Sequence, residues 1–290
     1  MRRRPMELRG ALVLVTGAGS GIGEATSHAF ADRGATVLCA DIDSAAAERT
    51  AEACARSGPG QPGQPGQSGR TAGAAGRAYA VDVADQEAVT GIAARVADEH
   101  GPLDVLVNNA GVGMSARFLA MSPQDWEWIL GINLMGVVHG CQAFGPAMIK
   151  QGHGHVVNVA SGLAYTPRAT EPGYVTSKAA VLALSRCLRA DWGPSGVGVS
   201  AICPGVIATP IIERTRFKGD RAGADTVGKV KQTFAKGHPP ALVAEAIVGA
   251  VERNRAVVAV GIEARIGWAL NGLLPSRVVD AMARATPGGI

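Results

Sequence analysis

A tyrosine and a lysine, Tyr174 and Lys178, stand four positions apart at the start of an apolar run with helical spacing, residues 179–192. On a helix this spacing places both side chains on one face, one turn apart. Free tyrosine titrates near pH ~10, and a neighbouring ammonium group favours the phenolate. The pair therefore predicts a proton-transfer group whose tyrosine pKa is lowered by the lysine together with a second, bound cation.

The alternative interpretation of this pair is a tyrosine ring that packs on a lysine stem, on an ordinary amphipathic helix. Tyr-x-x-x-Lys occurs often by chance, so the pair alone does not separate packing from chemistry. The other motifs of the chain decide between the two interpretations, because a proton-transfer pair needs a cofactor or substrate site around it.

The composition is that of a globular protein without membrane or nucleic-acid features. The chain has 290 residues, 47% hydrophobic and 18% charged, enough for one large α/β domain with a core. Its net charge of +4 comes without an aromatic-basic stripe, so no nucleic-acid partner is expected. No apolar run approaches ~18 residues, so no membrane span is expected. Five scattered cysteines without a Cys-x-x-Cys pair favour a reduced, cytoplasmic protein, and no metal site is predicted.

A strand, a glycine-rich turn and a helix follow one another near the N-terminus. Residues 11–15 are typical of a buried parallel strand, and residues 24–33 of a helix. Between them, Gly17, Gly21 and Gly23 fit Thr-Gly-x-x-x-Gly-x-Gly and not the strict Gly-x-Gly-x-x-Gly pattern. In such a setting a pyrophosphate binds at the helix N-terminus. A low-complexity turn is the alternative, in a chain with 39 glycines.

An acid, Asp41, ends the second predicted strand, residues 36–40. A carboxylate about 20 residues past the glycine turn can bind both ribose hydroxyls of an adenosine. It also repels a 2′-phosphate, so it favours NAD over NADP, while Arg33 and Arg49 keep NADP possible. The alternative is that Asp41 caps the next helix, as Asp43 could equally do.

Alternating strands and helices continue along the chain. Further strands are predicted at 77–81, 103–107, 155–159, 198–202 and 256–260, and helices at 45–56, 85–99, from 123, from 173 and at 240–253. Ligands bind at the carboxyl edge of such sheets, where Asp82, Asn109 and Ser161 follow their strands. Asn133 lies among apolar residues of the helix from 123, and a buried asparagine needs partners. It is either a satisfied core residue or a group near the active centre.

Three segments depart from the regular alternation. Residues 58–76 repeat Gln-Pro-Gly and are typical of a flexible surface insertion, not of a domain boundary. Residues 211–236 are mixed and charged, and we expect a mobile flap there. Residues 262–290 are an additional C-terminal stretch with helical spacing of its apolar positions, expected either to close the pocket or to cover a neighbouring subunit.

Taken together, the motifs resemble the short-chain dehydrogenase/reductase family over about residues 8–260. The resemblance rests on Thr16-Gly-Ala-Gly-Ser-Gly-Ile-Gly23, Asp41, Asp82, Asn108-Asn-Ala-Gly111, Asn133, Ser161, Tyr174-x-x-x-Lys178, and Pro204-Gly205 with Thr209. The chain is similar to actinobacterial members and to the reductase half of hydrolase–reductase fusions. The resemblance implies a single-domain α/β fold: a Rossmann-type, doubly wound, seven-stranded parallel sheet flanked by helices over 1–261, with a helical extension over 262–290.

The resemblance also implies hydride transfer between NAD(H) and an alcohol or ketone. Tyr174 is then the general acid/base, Lys178 lowers its pKa and binds the nicotinamide ribose, Ser161 polarises the substrate oxygen, and Asn133 supports a water relay. The implied cofactor-binding residues are Gly17, Ser20, Gly21, Ile22, Gly23, Asp41, Ile42, Asp82, Val83, Asn109, Ala110, Gly111, Tyr174, Lys178, Pro204, Gly205, Ile207 and Thr209.

The residues after the fourth, fifth and sixth strands predict an apolar pocket for a secondary alcohol or ketone. They are Val112, Met114, Phe118, Leu163, Ala164, Val206, Ile211, Ile212 and Phe217. Unpaired polar groups of a substrate would cost about 1–3 kcal/mol each in such a pocket. Arg168, Glu171 and Arg216 at the expected rim keep a more polar substrate open.

Several alternatives to this function remain. One is an NADP-dependent ketoreductase for a polar substrate, and another is a family member that binds the cofactor without redox chemistry. A third is an epimerase or dehydratase. The retained tyrosine and lysine disfavour a non-catalytic member, and the chain lacks room for a sugar-nucleotide domain. Surplus apolar positions on the helices from 123 and 173, together with the resemblance, predict a homodimer or homotetramer.

Overall fold

The computed structural model describes residues 6–57 and 77–284. The Gln-Pro-Gly-rich insertion, 58–76, lies outside the described residues, as do 1–5 and 285–290. The flexibility of the insertion and the domain boundary at 261/262 therefore stay predictions.

Nine strands are present in the described residues. They are β1 (Leu12–Thr16), β2 (Thr36–Asp41), β3 (Arg77–Ala80), β4 (Val105–Asn108), β5 (Met114–Ser115), β6 (Gly154–Val159), β7 (Val197–Pro204), β8 (Arg216–Phe217) and β9 (Val257–Val260). Seven of them form one parallel sheet in the order β3-β2-β1-β4-β6-β7-β9, and β5 pairs with β8 in a separate small sheet. The strand order reverses between β1 and β4, which is where ligands bind in doubly wound sheets.

Helices cover both faces of the large sheet. They are α1 (Gly21–Ala31), α2 (Ser44–Ser57), α3 (Gln86–His100), α4 (Pro123–Leu130), α5 (Gly136–Gln151), α6 (Pro172–Trp192), α7 (Ala224–Ala235), α8 (Pro240–Arg253), α9 (Ile262–Leu270) and α10 (Ser276–Arg284). The predicted fold, a single-domain Rossmann-type sheet of seven parallel strands flanked by helices, is confirmed.

The sheet separates two hydrophobic cores because side chains alternate along each strand. Val13 and Val15 of β1 pack with Phe30 of α1 on one face, together with α2 and α8. Leu12 and Leu14 point to the other face, with residues of α3, α5 and α6. Burial on both faces explains why the central strands are continuous apolar runs in the sequence.

The helix predicted to run on from residue 123 is interrupted. Residues Gly131–Met135 form a π-helical turn between α4 and α5, closed by the backbone N–H of Gly136 on the carbonyl oxygen of Gly131. Such a turn inserts one extra residue into the helix and is frequent at functional sites. Here it carries Asn133, whose side chain is fully buried.

Two glycines in helices offer a matched test of this packing. A Cβ on Gly140 of α5 would overlap the Asn108 side-chain oxygen, whereas one on Gly91 of α3 meets nothing within 4 Å. We expect Gly140→Ala to lower the free energy of unfolding by about 1–3 kcal/mol through overpacking. Gly91→Ala should raise it by about 0.5–1 kcal/mol, because alanine loses less backbone entropy than glycine. Urea titrations measure both, and equal effects would contradict the packing of α5 on β4.

Candidate active site

The glycine turn after β1 is interlocked with the loop after β4. The Thr16 hydroxyl accepts hydrogen bonds from the backbone N–H groups of Asn109 (3.0 Å) and Ala110 (3.1 Å). In return, the Asn109 amide donates to the carbonyl oxygens of Thr16 (2.9 Å) and Gly17 (3.2 Å). The side chain of Asn109 thus positions the turn, a role that the sequence analysis did not assign to it.

At each glycine of the predicted spacing, the backbone conformation or a close neighbour disfavours any side chain. Gly17 and Gly21 have φ angles of 65° and 58°, which favour glycine. A Cβ on Gly17 would also lie 2.9 Å from the Cα of Ala110. A Cβ on Gly23 would overlap the carbonyl oxygen of Gly17. At these three positions the turn therefore has no room for a side chain, and this specific packing excludes the low-complexity alternative.

The carboxylate of Asp41 lies at the carboxyl end of β2, against the same turn. It accepts hydrogen bonds from the backbone N–H groups of Gly19 (2.8 Å) and Asp43 (3.0 Å). The residue that caps α2 is instead Asp43, which accepts from the N–H of Ala46 at 3.0 Å. Arg214, which the sequence analysis did not consider, brings its guanidinium to 4.0 Å from Asp41.

Asn133 uses its side chain to hold the loop after β4. Its oxygen accepts from the N–H of Val112 (2.9 Å), and its amide donates to the carbonyl of Val112 (3.0 Å) and the hydroxyl of Ser177 (3.2 Å). A Cβ on Gly111 would lie 3.2 Å from the Asn133 oxygen and 3.4 Å from the Lys178 nitrogen. Asn133 is thus a satisfied buried asparagine directly behind the lysine.

The ammonium group of Lys178 is buried, with 4% of the residue exposed. It donates a hydrogen bond to the carbonyl oxygen of Val159, the last residue of β6, at 2.9 Å. Burial lowers the Lys178 pKa to about 8, because the charged form loses its hydration. It lies 6.0 Å from the centre of the Tyr174 ring.

The pKa of Tyr174 is raised to about 12, first by burial. A hydrogen bond with Ser161 acts in the opposite direction, and the charge of Glu171 raises the pKa further. In the protein by itself the pKa of Tyr174 is therefore raised, and its lowering by Lys178 together with a bound cofactor cation stays a prediction. The physical reason is that the lysine is bonded to Val159 and is itself destabilised as a cation, so it offsets little of the desolvation of the phenolate.

One cavity of about 1130 Å³ is lined by most residues of the predicted site. Of the predicted catalytic and cofactor-binding residues, all but Gly23 and Asn133 line it. Those two lie behind the wall, where they fix the glycine turn and the loop after β4. Among residues 6–57 and 77–284, no group of three His, Cys, Asp or Glu side chains is arranged to hold a metal ion.

The predicted pocket and rim residues do not all line the cavity. Val112, Met114, Leu163, Val206, Ile211, Ile212 and Phe217 line it, whereas Phe118, Ala164 and Arg216 do not. The Phe118 ring is largely exposed and lies 6.0 Å from that of Trp126. Arg216 stacks over the Trp128 ring at 3.8 Å.

The C-terminal segment closes one side of the cavity within the same chain. Residues of α9, among them Ala264, Ile266 and Leu270, line it. The Tyr165 hydroxyl donates to the Ala264 carbonyl at 2.8 Å, and its ring packs edge-on against Trp268 at 5.3 Å. The helical spacing of the tail predicted the helix, and of the two expected roles the structure supports closure of the pocket.

The segment expected to be a mobile flap, 211–236, forms regular elements that contact the rest of the domain, and its mobility stays a prediction. Its strand β8 pairs with β5, and it contains α7. The Lys218 ammonium lies 2.6 Å from the buried carboxylate of Asp125 at the start of α4. The hydrogen bond from Lys218 is the main cause that lowers the Asp125 pKa to about 2.

Comparisons with known proteins agree with this arrangement. A family model described as short chain dehydrogenase matches residues 11–218. The probable oxidoreductase EphD of Mycobacterium tuberculosis is 42% identical over 282 residues, 95% of this chain. The chain spans 44% of the length of that relative, less than half.

Two further comparisons cover most of both proteins. The D-threitol dehydrogenase of Mycolicibacterium smegmatis is 37% identical over 83% of this chain and 85% of its own length. A solved short chain dehydrogenase/reductase of Burkholderia phymatum in complex with NAD superimposes with a TM-score of 0.77 at 28% identity, over 87% of this chain and 89% of that one.

No helix in the described part of the chain is long and apolar enough to cross a membrane.

The contact between Lys218 and Asp125 predicts a pH-dependent stability. The Asp125 pKa is lower in the folded chain than its unfolded value near ~3.9, so the contact contributes fully above about pH 4 and is lost as the pH falls toward 2. We expect Lys218→Met to destabilise by roughly 1–2 kcal/mol at pH 7, discounted because the lysine is half exposed. The difference from the parent should shrink in unfolding titrations below pH 4.

A matched control is Lys229→Met, an exposed lysine of α7 for which the described structure contains no ion pair. This variant should leave stability unchanged at both pH values. A destabilisation by Lys218→Met that is the same at pH 7 and pH 3 would show that the ion pair is not its cause.

Proposed function

The chain belongs to the short-chain dehydrogenase/reductase family, and we propose that it transfers a hydride between NAD(H) and a secondary alcohol or ketone on a largely apolar substrate. The observation that carries the proposal is the convergence of Ser161, Tyr174 and Lys178 with the glycine turn and Asp41 on one cavity. Family, cavity and proton-transfer group thus support one reaction.

The residues of the cavity fit a dinucleotide. Helix α1 begins at Gly21, and Gly17, Ser20 and Gly21 line the cavity, so the free backbone N–H groups of its first turn would bind a pyrophosphate there. Asp41 stands at the end of the neighbouring strand, within reach of a ribose. Gly17, Ser20, Gly21 and Ile22 would hold the pyrophosphate side, and Lys178 and Thr209 the nicotinamide side.

The proton chemistry follows from Tyr174 and Ser161. When bound, the nicotinamide ring supplies the hydride acceptor or donor. The Ser161 hydroxyl donates to the substrate oxygen, and the phenol of Tyr174 gives its proton to that oxygen in reduction. A phenol with a pKa raised to about 12 is protonated and ready for this step. Oxidation requires the phenolate, which positive charge inside the cavity favours, and Lys178 supplies one such charge.

Lys178 and Asn133 act from behind the reacting groups. Lys178 is held between the Val159 carbonyl and Gly111, and it lines the cavity together with Tyr174. Asn133 fixes Val112 and Ser177, and we propose it as a positioning residue for this wall. Its role in a water relay stays a prediction.

The substrate part of the cavity is mainly apolar, which supports an apolar substrate body. Met114, Leu163, Ile212 and Phe217 lie on its wall, as do α9 residues. A more polar substrate is the second candidate. Arg168 and Glu171 on the cavity wall favour it, and one similar protein is a D-threitol dehydrogenase.

Replacing the phenol alone tests the reaction. Tyr174→Phe should reduce NAD turnover with a panel of secondary alcohols by at least about 100-fold, because general acid–base catalysis contributes that much. The dissociation constant for NAD should stay within about threefold. Tyr79→Phe is the control, since the Tyr79 hydroxyl bonds Glu99 outside the cavity, and its turnover should match the parent. Turnover of Tyr174→Phe within tenfold of the parent would contradict the assignment.

Cofactor preference tests Asp41 and Arg214. We expect the parent to bind NAD more tightly than NADP by at least about tenfold, a difference of ~1.4 kcal/mol, because the Asp41 carboxylate repels a 2′-phosphate. Asp41→Asn should narrow this ratio. Arg214→Ala should widen it, since the guanidinium 4.0 Å from Asp41 offsets the repulsion. Equal dissociation constants for both cofactors in the parent would count against Asp41 as the selector.

We also propose a homodimer or homotetramer. Apolar side chains remain exposed along the helices, among them Met135 just before α5, Ile149 near the end of α5 and Leu242 on α8. Such residues are typical of subunit contacts when they form a patch. Light scattering at micromolar concentration should give two or four times the chain mass, and a monomer would contradict the proposal.

A further inference from the structure

One carboxylate on the cavity wall, that of Glu171, makes no direct contact with a partner in the described residues. Its side chain has no hydrogen bond or ion pair there, although the residue is partly buried. Other acids on the same wall either have a partner or are exposed: Asp41 binds two backbone N–H groups, Asp82 binds that of Ala84, Glu263 binds that of Val206, and Glu127 is exposed to solvent. An acceptor withdrawn from water without a hydrogen bond is costly, so a donor on a bound ligand would stabilise it.

Local structure does not explain this side chain. Glu171 is the residue before α6, but its carboxylate makes no capping hydrogen bond to the helix. Nor does it help the reacting group, because its charge raises the pKa of Tyr174, one helical turn away, and so opposes the phenolate. Apart from the charges of Arg168 and Arg221, which act on it without direct contact, the carboxylate is available to a substrate in the cavity.

We propose that Glu171 accepts a hydrogen bond from a second hydroxyl group of the substrate, which is therefore a hydroxylated secondary alcohol, or the corresponding hydroxyketone, on an otherwise apolar body. The inference rests on the dehydrogenase function proposed above and narrows its substrate class. It accounts for the apolar wall and the partly buried, unpaired carboxylate together, because one hydroxyl satisfies Glu171 and leaves the remaining surface for hydrocarbon.

A hydroxyl fits this position better than an ammonium group. The charges of Arg168 and Arg221 both act on Glu171, and Lys178 lies further along α6. The two arginines repel a cationic substrate and offset part of the attraction that Glu171 has for it. Burial also raises the pKa of Glu171, so the site favours a neutral donor over one that needs a full counter-charge.

Matched substrates test the proposal. Each alkan-2-ol of a series is compared with the diol that carries an added terminal hydroxyl and with the corresponding amino alcohol, by kcat/KM for NAD reduction. For at least one chain length the parent should prefer the diol. Glu171→Leu should reduce that diol-to-alkanol ratio by about tenfold or more, the factor expected for a hydrogen bond to a charged group. Glu171→Gln, whose amide oxygen still accepts, should keep part of it.

The control is Glu213→Gln, an exposed carboxylate of the flap outside the cavity, which should keep the parent ratio. Melting temperature and NAD affinity show whether each variant is folded. Three results would overturn the inference: an unchanged diol-to-alkanol ratio in Glu171→Leu, no diol preference of the parent at any chain length, or a preference for the amino alcohol. The dehydrogenase proposal would still stand in these cases if the alkanols reduce NAD. If no alcohol reduces NAD, the dehydrogenase proposal fails and this inference fails with it.

Discussion

The site depends on the hydrogen bonds that join the glycine turn after β1 to the loop after β4. Thr16 and Asn109 exchange bonds across the point where the strand order reverses, and the space between these loops is too small for a Cβ at Gly17 or Gly23. The same loop continues to Gly111 and Val112, against which Asn133 and Lys178 are fixed. Dinucleotide cradle and reacting groups are thus parts of one rigid unit, so their separation is set by the sheet and not by flexible side chains.

Burial gives this unit its electrostatic character. Lys178 and Tyr174 are both desolvated, which destabilises the cation and the phenolate alike, and the pKa values move to about 8 and 12. The protein alone therefore holds a neutral phenol next to a lysine whose ammonium form is destabilised by burial. Positive charge brought into the cavity would stabilise the phenolate, and the low polarity of the wall would strengthen that effect. Proton transfer in the oxidation direction is on this account coupled to cofactor binding.

The strands and the position of most site residues at their ends follow from the sequence, because buried parallel strands are continuous apolar runs and Asp41, Asn109 and Ser161 come after them. Other features depend on contacts that local patterns do not reveal. The π turn at Asn133 appears as one unbroken helical period, and Arg214 reaches Asp41 only because the flap folds back over the cavity. The raised pKa of Tyr174 in the protein alone could not be foreseen, because spacing along a helix shows that a lysine is near but not that the phenol is buried or that a backbone carbonyl already binds the lysine. That the carboxylate of Glu171 lacks a hydrogen-bond partner was equally invisible until neighbouring acids could be compared.

The central claim is that a hydride passes directly between substrate carbon and nicotinamide in this cavity. Its most direct test uses a secondary alcohol that carries deuterium on the carbinol carbon, with NAD and the unmodified protein, followed by mass spectrometry of the reduced cofactor. The account predicts that each reduced cofactor molecule formed carries one deuterium. Reduced cofactor without deuterium, or no reduction with any alcohol of a broad panel, would contradict it.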